Sequence, residues 1–145
     1  MRNEGTWLTL VLAGLAIANA AVPITATAQD LRPESLKLYG GTYSPDCGNA
    51  AAAQVRIAAD GLQISANGQS VRTPARMDSY TSFGGAPTSA VPEGYKVEFI
   101  GDDFSLYVFE DAKGTYAPLE GYVPSAASVV GGSAMKARFG HCAGS

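Results

Sequence analysis

The chain has 145 residues, 46% of them hydrophobic and 16% charged, and its 13 acidic against 10 basic side chains give a formal net charge of −3. This length supports one domain with a core of its own and is too short for two full-sized ones. A mildly acidic surface without a Lys/Arg cluster excludes a nucleic-acid binder, which needs grouped cations to neutralise phosphates, and leaves basic proteins as partners.

The first residues read as an export signal. Arg2 and the amino terminus outweigh Glu4, and an uncharged apolar stretch runs from Trp7 to Val22 before Pro23 breaks it. Ala26-Thr27-Ala28 then offers small residues at both positions a signal peptidase requires, so cleavage is expected before Gln29, with Ala18-Asn19-Ala20 as a second candidate site. Asn19 and the many small residues make the stretch a poor membrane span. The expected organisation is a cleaved segment 1–28 and a single domain 29–145, delivered to the periplasm or secreted, with no membrane span after cleavage. Losing Arg2 and Glu4 together leaves the net charge unchanged.

A first strand is expected around Leu36 to Tyr43. Cys47 follows, and its counterpart Cys142 stands near the far end. In an oxidising compartment the two should pair, and closing so long a loop is worth up to about 4 to 5 kcal/mol in the chain-entropy model. A competing reading makes one of them a reactive thiolate with His141 as its base.

From Val55 to Thr73 the apolar residues alternate. Val55 and Ile57 precede Asp60-Gly61, Leu62 and Ile64 precede Asn67-Gly68, and Val71 follows. Both dipeptides suit tight hairpin turns, which predicts three antiparallel strands with Arg56, Gln63, Ser65, Gln69 and Arg72 mainly on the solvated face. A further strand is expected around Arg76 to Phe83. A second meander runs from Tyr95 to Tyr122, with turns at Gly101-Asp102-Asp103 and Ala112-Lys113-Gly114, and Pro118 predicts that its last strand is short or at an edge. The fold class is therefore all-β: an antiparallel meander sandwich or small barrel of about seven or eight strands, with one short C-terminal helix. That helix is expected where Ala126, Val129, Val130, Ala134, Met135, Ala137 and Phe139 recur at intervals of three and four. Ser125 is its candidate cap, Gly131-Gly132 weakens or splits it, and Met135 with Phe139 docks it on the sheet.

Catalytic chemistry finds little foothold. His141 is the single histidine, and if the cysteines pair, Asp46 and His141 flank the bridge within reach of each other. The doublets Asp102-Asp103 and Glu110-Asp111 fall at hairpin turns and match no calcium-loop spacing. No catalytic set, metal site or cofactor is expected.

The connection from Ser79 to Tyr95 is longer than a hairpin needs and mixes aromatic residues with Ser, Thr and Gly, a composition suited to contacting another macromolecule. It carries Tyr80 and Ser82-Phe83-Gly84-Gly85; further on, Tyr107 precedes the Ala112-Lys113-Gly114 turn. In these features an exported, one-disulfide β domain resembles the periplasmic lysozyme inhibitors of Gram-negative bacteria. There, a protruding Ser-Gly loop ending in Tyr and a later Tyr with a Thr-Lys-Gly turn enter the lysozyme cleft. This sequence lacks the Tyr close behind the first motif and has Ala for Thr in the second. The resemblance implies a non-enzymatic inhibitor of lysozyme or a related lytic enzyme; the domain itself is expected to be a monomer or weak dimer. Its partner-binding residues would be Tyr80, Ser82, Phe83, Gly84, Gly85, Tyr107 and Lys113, with Lys113 reaching a catalytic carboxylate. The alternative function is a small envelope barrel that holds an apolar ligand among Phe99, Leu106 and Val108, or serves a structural role.

Overall fold

A computed structural model describes residues 31–80 and 91–144 of the chain. The expected signal segment and Ser82 to Gly85 fall outside the described residues. Nine strands form one antiparallel sheet: β1 (Gly41–Ser44), β2 (Gln54–Ala58), β3 (Gly61–Ala66), β4 (Gln69–Thr73), β5 (Ala75–Ser79), β6 (Tyr95–Gly101), β7 (Ser105–Asp111), β8 (Gly114–Tyr116) and β9 (Gly140–His141). Their order across the sheet is β4-β3-β2-β1-β9-β8-β7-β6-β5. Two meanders therefore lie side by side, joined in the middle where the two-residue β9 slots between β1 and β8.

The sheet is curled into a half-barrel because its two edges are consecutive in sequence. β4 and β5 are separated by Pro74 alone, and the carbonyl of Pro74 accepts from the Asp102 N–H at 3.3 Å while Thr73 Oγ1 accepts from the Asp103 N–H at 3.0 Å. The edges thus meet at one corner. Gly101 is needed there: a Cβ would collide with the Thr73 methyl and stand 2.6 Å from the Phe104 carbonyl oxygen.

The concave face holds the core. Val55, Ile57, Leu62 and Ile64 from the first meander and Val97, Phe99, Leu106 and Val108 from the second are all 1% exposed or less, and Tyr43 of β1 with Leu119 and Phe139 completes the buried cluster. Burying each such side chain is worth roughly 1.5 to 3 kcal/mol. The expected alternation is clearest in β2 and β3. Asn67-Gly68 forms the β3–β4 turn with φ of 50° and 79°, the two positive values a type I′ hairpin demands. The β2–β3 turn is Ala59-Asp60, one residue earlier than expected, since Gly61 already pairs with Ala58.

Several local expectations are corrected. Leu36 to Tyr43 is not one strand: Pro33–Tyr39 forms helix α1 and only Gly41–Ser44 is extended. Pro33 fits the first helical turn, where its missing N–H costs nothing, and Glu34 complements the positive helix end. The strand expected at Arg76 to Phe83 is Ala75–Ser79 among the described residues. The expectation drawn from Pro118 is met by length: β8 has three residues and lies between β9 and β7. The C-terminal helical segment is a 3-10 turn at Pro124–Ala126 followed by two four-residue helices, α2 (Ala127–Val130) and α3 (Gly132–Met135), divided at Gly131 with φ of 80°. Ser125 does not cap it, because it lies inside the 3-10 turn and its carbonyl accepts from the Ser128 hydroxyl. Cys47 and Cys142 are joined, with Cα atoms 5.6 Å apart. The Cys142 N–H donates to the Thr42 carbonyl at 2.8 Å, which extends the β1–β9 pairing to the bridge. Among the described residues, no helix is long and apolar enough to cross a membrane.

Candidate functional site

The residues singled out in the sequence are distributed over both faces of the sheet. Asp78, Phe99 and Leu106 are register partners across β5, β6 and β7, and Phe99 and Leu106 point into the core, so Asp78 and Tyr80 share the concave side. Ser79, Glu98 and Tyr107 form the neighbouring row and face outward. Tyr80 and Tyr107 therefore lie on opposite faces.

Tyr80 is engaged with α1. Its hydroxyl is 2.7 Å from Ser35 Oγ, its ring carries the Arg32 guanidinium at 4.5 Å, and Tyr39 lies 6.3 Å away, centroid to centroid. Ser35, fully buried, donates in turn to Asp78. Arg32 reaches the same carboxylate through its main-chain N–H at 3.0 Å and its Nε at 2.7 Å. Burial pushes the Asp78 carboxyl up, but the hydrogen bonds from Arg32 and Ser35 and the guanidinium charge outweigh it and hold the carboxyl below its usual range. This cluster fastens the start of the domain to the edge strand.

On the outer face Tyr122 contacts both Tyr107 and Phe109, and Tyr95 and Tyr116 flank Phe109 to complete an aromatic row. Glu98 is buried at 4% exposure; the register shifts between Tyr95 and Val97, and Val97, Glu98 and Phe99 are buried in succession. Burial and the nearby Glu98 charge push the Tyr107 hydroxyl up to about 12.

Lys113 occupies the β7–β8 turn, as expected, and is exposed. Its N–H donates to Asp111 Oδ1 at 2.8 Å. The far side of the turn is pinned by Arg138, which forms a two-bond fork to Asp111 at 2.8 and 2.9 Å, donates to the Gly114 carbonyl at 3.1 Å and lies 4.2 Å over the Tyr116 ring. Tyr107 and Lys113 belong to the same hairpin, but four strand steps, roughly 13 Å, separate Tyr107 from Asp111 at the base of the turn that carries Lys113.

His141 does not pair with Asp46. Its Nε2 donates to the Gly40 carbonyl at 2.9 Å and its ring meets the edge of Tyr43 at 4.9 Å, because β9 pairing turns the side chain toward the start of β1. Cys142 is in the disulfide, so the thiolate reading falls. The acidic turns are occupied by cations: Asp102 by Arg76, Glu110 by Lys96 and Asp111 by Arg138. Phe99, Leu106 and Val108, proposed to line a ligand cavity, are fully buried against other core side chains.

Sequence reasoning missed Arg138 and the Arg32–Ser35–Asp78–Tyr80 cluster. Both join residues distant in sequence, and the strand order that unites them has no local signature. No family model, curated protein or solved structure matches the chain.

Proposed function

We propose that this chain is an exported, non-enzymatic binding protein that inhibits a basic lysozyme or related lytic enzyme by presenting the β7–β8 turn. The observation that carries the reading is the state of Lys113. It stands exposed at the tip of a turn immobilised by Asp111 and Arg138, and no ion pair engages it among the described residues, whereas Arg138, Lys96 and Arg76 are each paired. A cation held ready on a rigid hairpin binds a recessed carboxylate with little ordering cost. The net charge of −3 favours approach to a basic enzyme. The Cys47–Cys142 bond supports residence in an oxidising compartment.

The test is lysozyme-catalysed lysis of bacterial cell walls with the purified, disulfide-bonded domain added. Dose-dependent inhibition of at least one animal or bacterial-virus lysozyme is expected. Full enzyme activity across both groups at large inhibitor excess overturns the reading.

A further inference from the structure

Behind the β7–β8 hairpin lies a cleft of about 290 Å³ between β8 and the α3–β9 segment. Its lining is mixed: Pro118 and Ala137 are half-buried, Met135 is 9% exposed, and Leu119 lies fully buried beneath them. At its rim stand Glu120 and Lys136, both exposed. The Glu120 N–H donates to the Met135 carbonyl at 3.2 Å, which fixes the two segments against each other and brings an acid and a base to one opening. These two charges form no ion pair with each other or with any other described residue, although Arg138 and Asp111 on the neighbouring wall neutralise one another.

We infer that this cleft binds a small zwitterion, a free amino acid with an apolar side chain, with Lys136 on its carboxylate and Glu120 on its ammonium group. The apolar side chain would rest on Pro118, Met135 and Ala137. The charges discriminate: a simple anion meets Glu120, and a simple cation meets Lys136, so only a ligand carrying both signs satisfies both. The volume lies at the lower end for ligand sites, which suits a molecule of amino-acid size. A sugar is disfavoured because the Tyr116 ring already stacks with Phe109 at 5.8 Å and carries Arg138, leaving no free aromatic platform. This inference stands apart from the lysozyme reading.

The experiment is an amide-resolved NMR titration of the disulfide-bonded protein with L-leucine, N-acetyl-L-leucine, L-leucinamide and glucose. L-leucine is expected to give saturable shifts at Glu120, Lys136 and Ala137, and either blocked analogue to bind about tenfold more weakly or worse, the loss that accompanies one charged hydrogen bond. Lys136→Met and Glu120→Gln, both at exposed positions, should each weaken leucine about as much while leaving the rest of the spectrum in place. The inference is overturned by an absence of saturable shifts with leucine, by equal binding of the blocked analogues, by unchanged leucine affinity in either variant, or by glucose saturating the same amides at lower concentration.

Discussion

Arg32 grips Asp78 in two ways at once, its main-chain N–H on one carboxylate oxygen and its guanidinium on the other. Ser35 adds a third donor from the first turn of α1, so one nearly buried carboxylate on the edge strand β5 collects the start of the described chain. Leu31, 2% exposed, is buried just before it. The helix is short and marginal alone; packing and this carboxylate hold it.

Replacing that carboxylate should loosen the helix before it unfolds the sheet. Asp78→Asn is expected to cost about 2 to 3 kcal/mol, the range for losing charged hydrogen bonds at a buried acceptor. Urea unfolding measures the loss. Hydrogen exchange should show the amides of Leu36 to Gly40 deprotected while β2 and β3 stay slow; uniform protection in the variant would contradict the role given to Asp78.

The same contact sets an acid limit. The folded Asp78 carboxyl binds its proton less tightly than the unfolded one, so its contribution is complete above the unfolded value near ~4 and fades as pH falls through the lower folded value. Urea midpoints measured from pH 7 down to pH 2 should fall more steeply in the wild type than in Asp78→Asn across the acid end. Parallel slopes would show that Asp78 does not link to folding.

At the corner where the edges meet, Gly101→Ala should be costly. The added methyl has the Thr73 side chain and the Phe104 backbone in its way, and overpacking of this kind costs about 1 to 3 kcal/mol. Gly132→Ala, where a Cβ meets nothing within 4 Å, serves as the control and should be neutral or stabilising. Equal thermal midpoints for the two variants would mean that the corner is not tightly closed.

Removing the bridge should cost more than any of these. The bond joins residues 95 apart, and the paired Cys47→Ser, Cys142→Ser variant is expected to lose up to about 4 kcal/mol. The β1–β9 pairing, only two residues long, should fray first, visible as faster exchange at Gly140 and Cys142. An unchanged unfolding midpoint would contradict this.

What the sequence disclosed follows the range over which each signal acts. The β3–β4 hairpin was legible because Asn67-Gly68 determines its own turn, and the concave face because alternation in Val55 to Ile64 needs no partner to be read. At α1, Leu36 and Leu38 fit a strand's alternation while Leu36 and Tyr39 fit a helical spacing of three; the Pro33 start, not the apolar pattern, decides. Glu98 broke the rule that charge faces water, since an outward row of aromatic rings buries it.

The site was less legible than the fold. Lys113 could be placed on its turn from the local sequence, but its rigidity comes from Arg138, 25 positions later, whose reach depends on β9 inserting beside β8. Nor could alternation reveal that Tyr80 and Tyr107 fall on opposite faces, because that follows from the registers of β5, β6 and β7 together.

The central claim is that Lys113 docks into the cleft of a basic lysozyme, and calorimetric titration of the disulfide-bonded domain into lysozyme, beside its Lys113→Glu variant, tests it most directly. The wild type should bind with one-to-one stoichiometry, more weakly as salt rises. The variant, exposed and on a turn it does not stabilise, should unfold at the wild-type temperature yet bind at least tenfold more weakly. Absence of binding by the wild type, or equal affinity of the two proteins, would contradict the account.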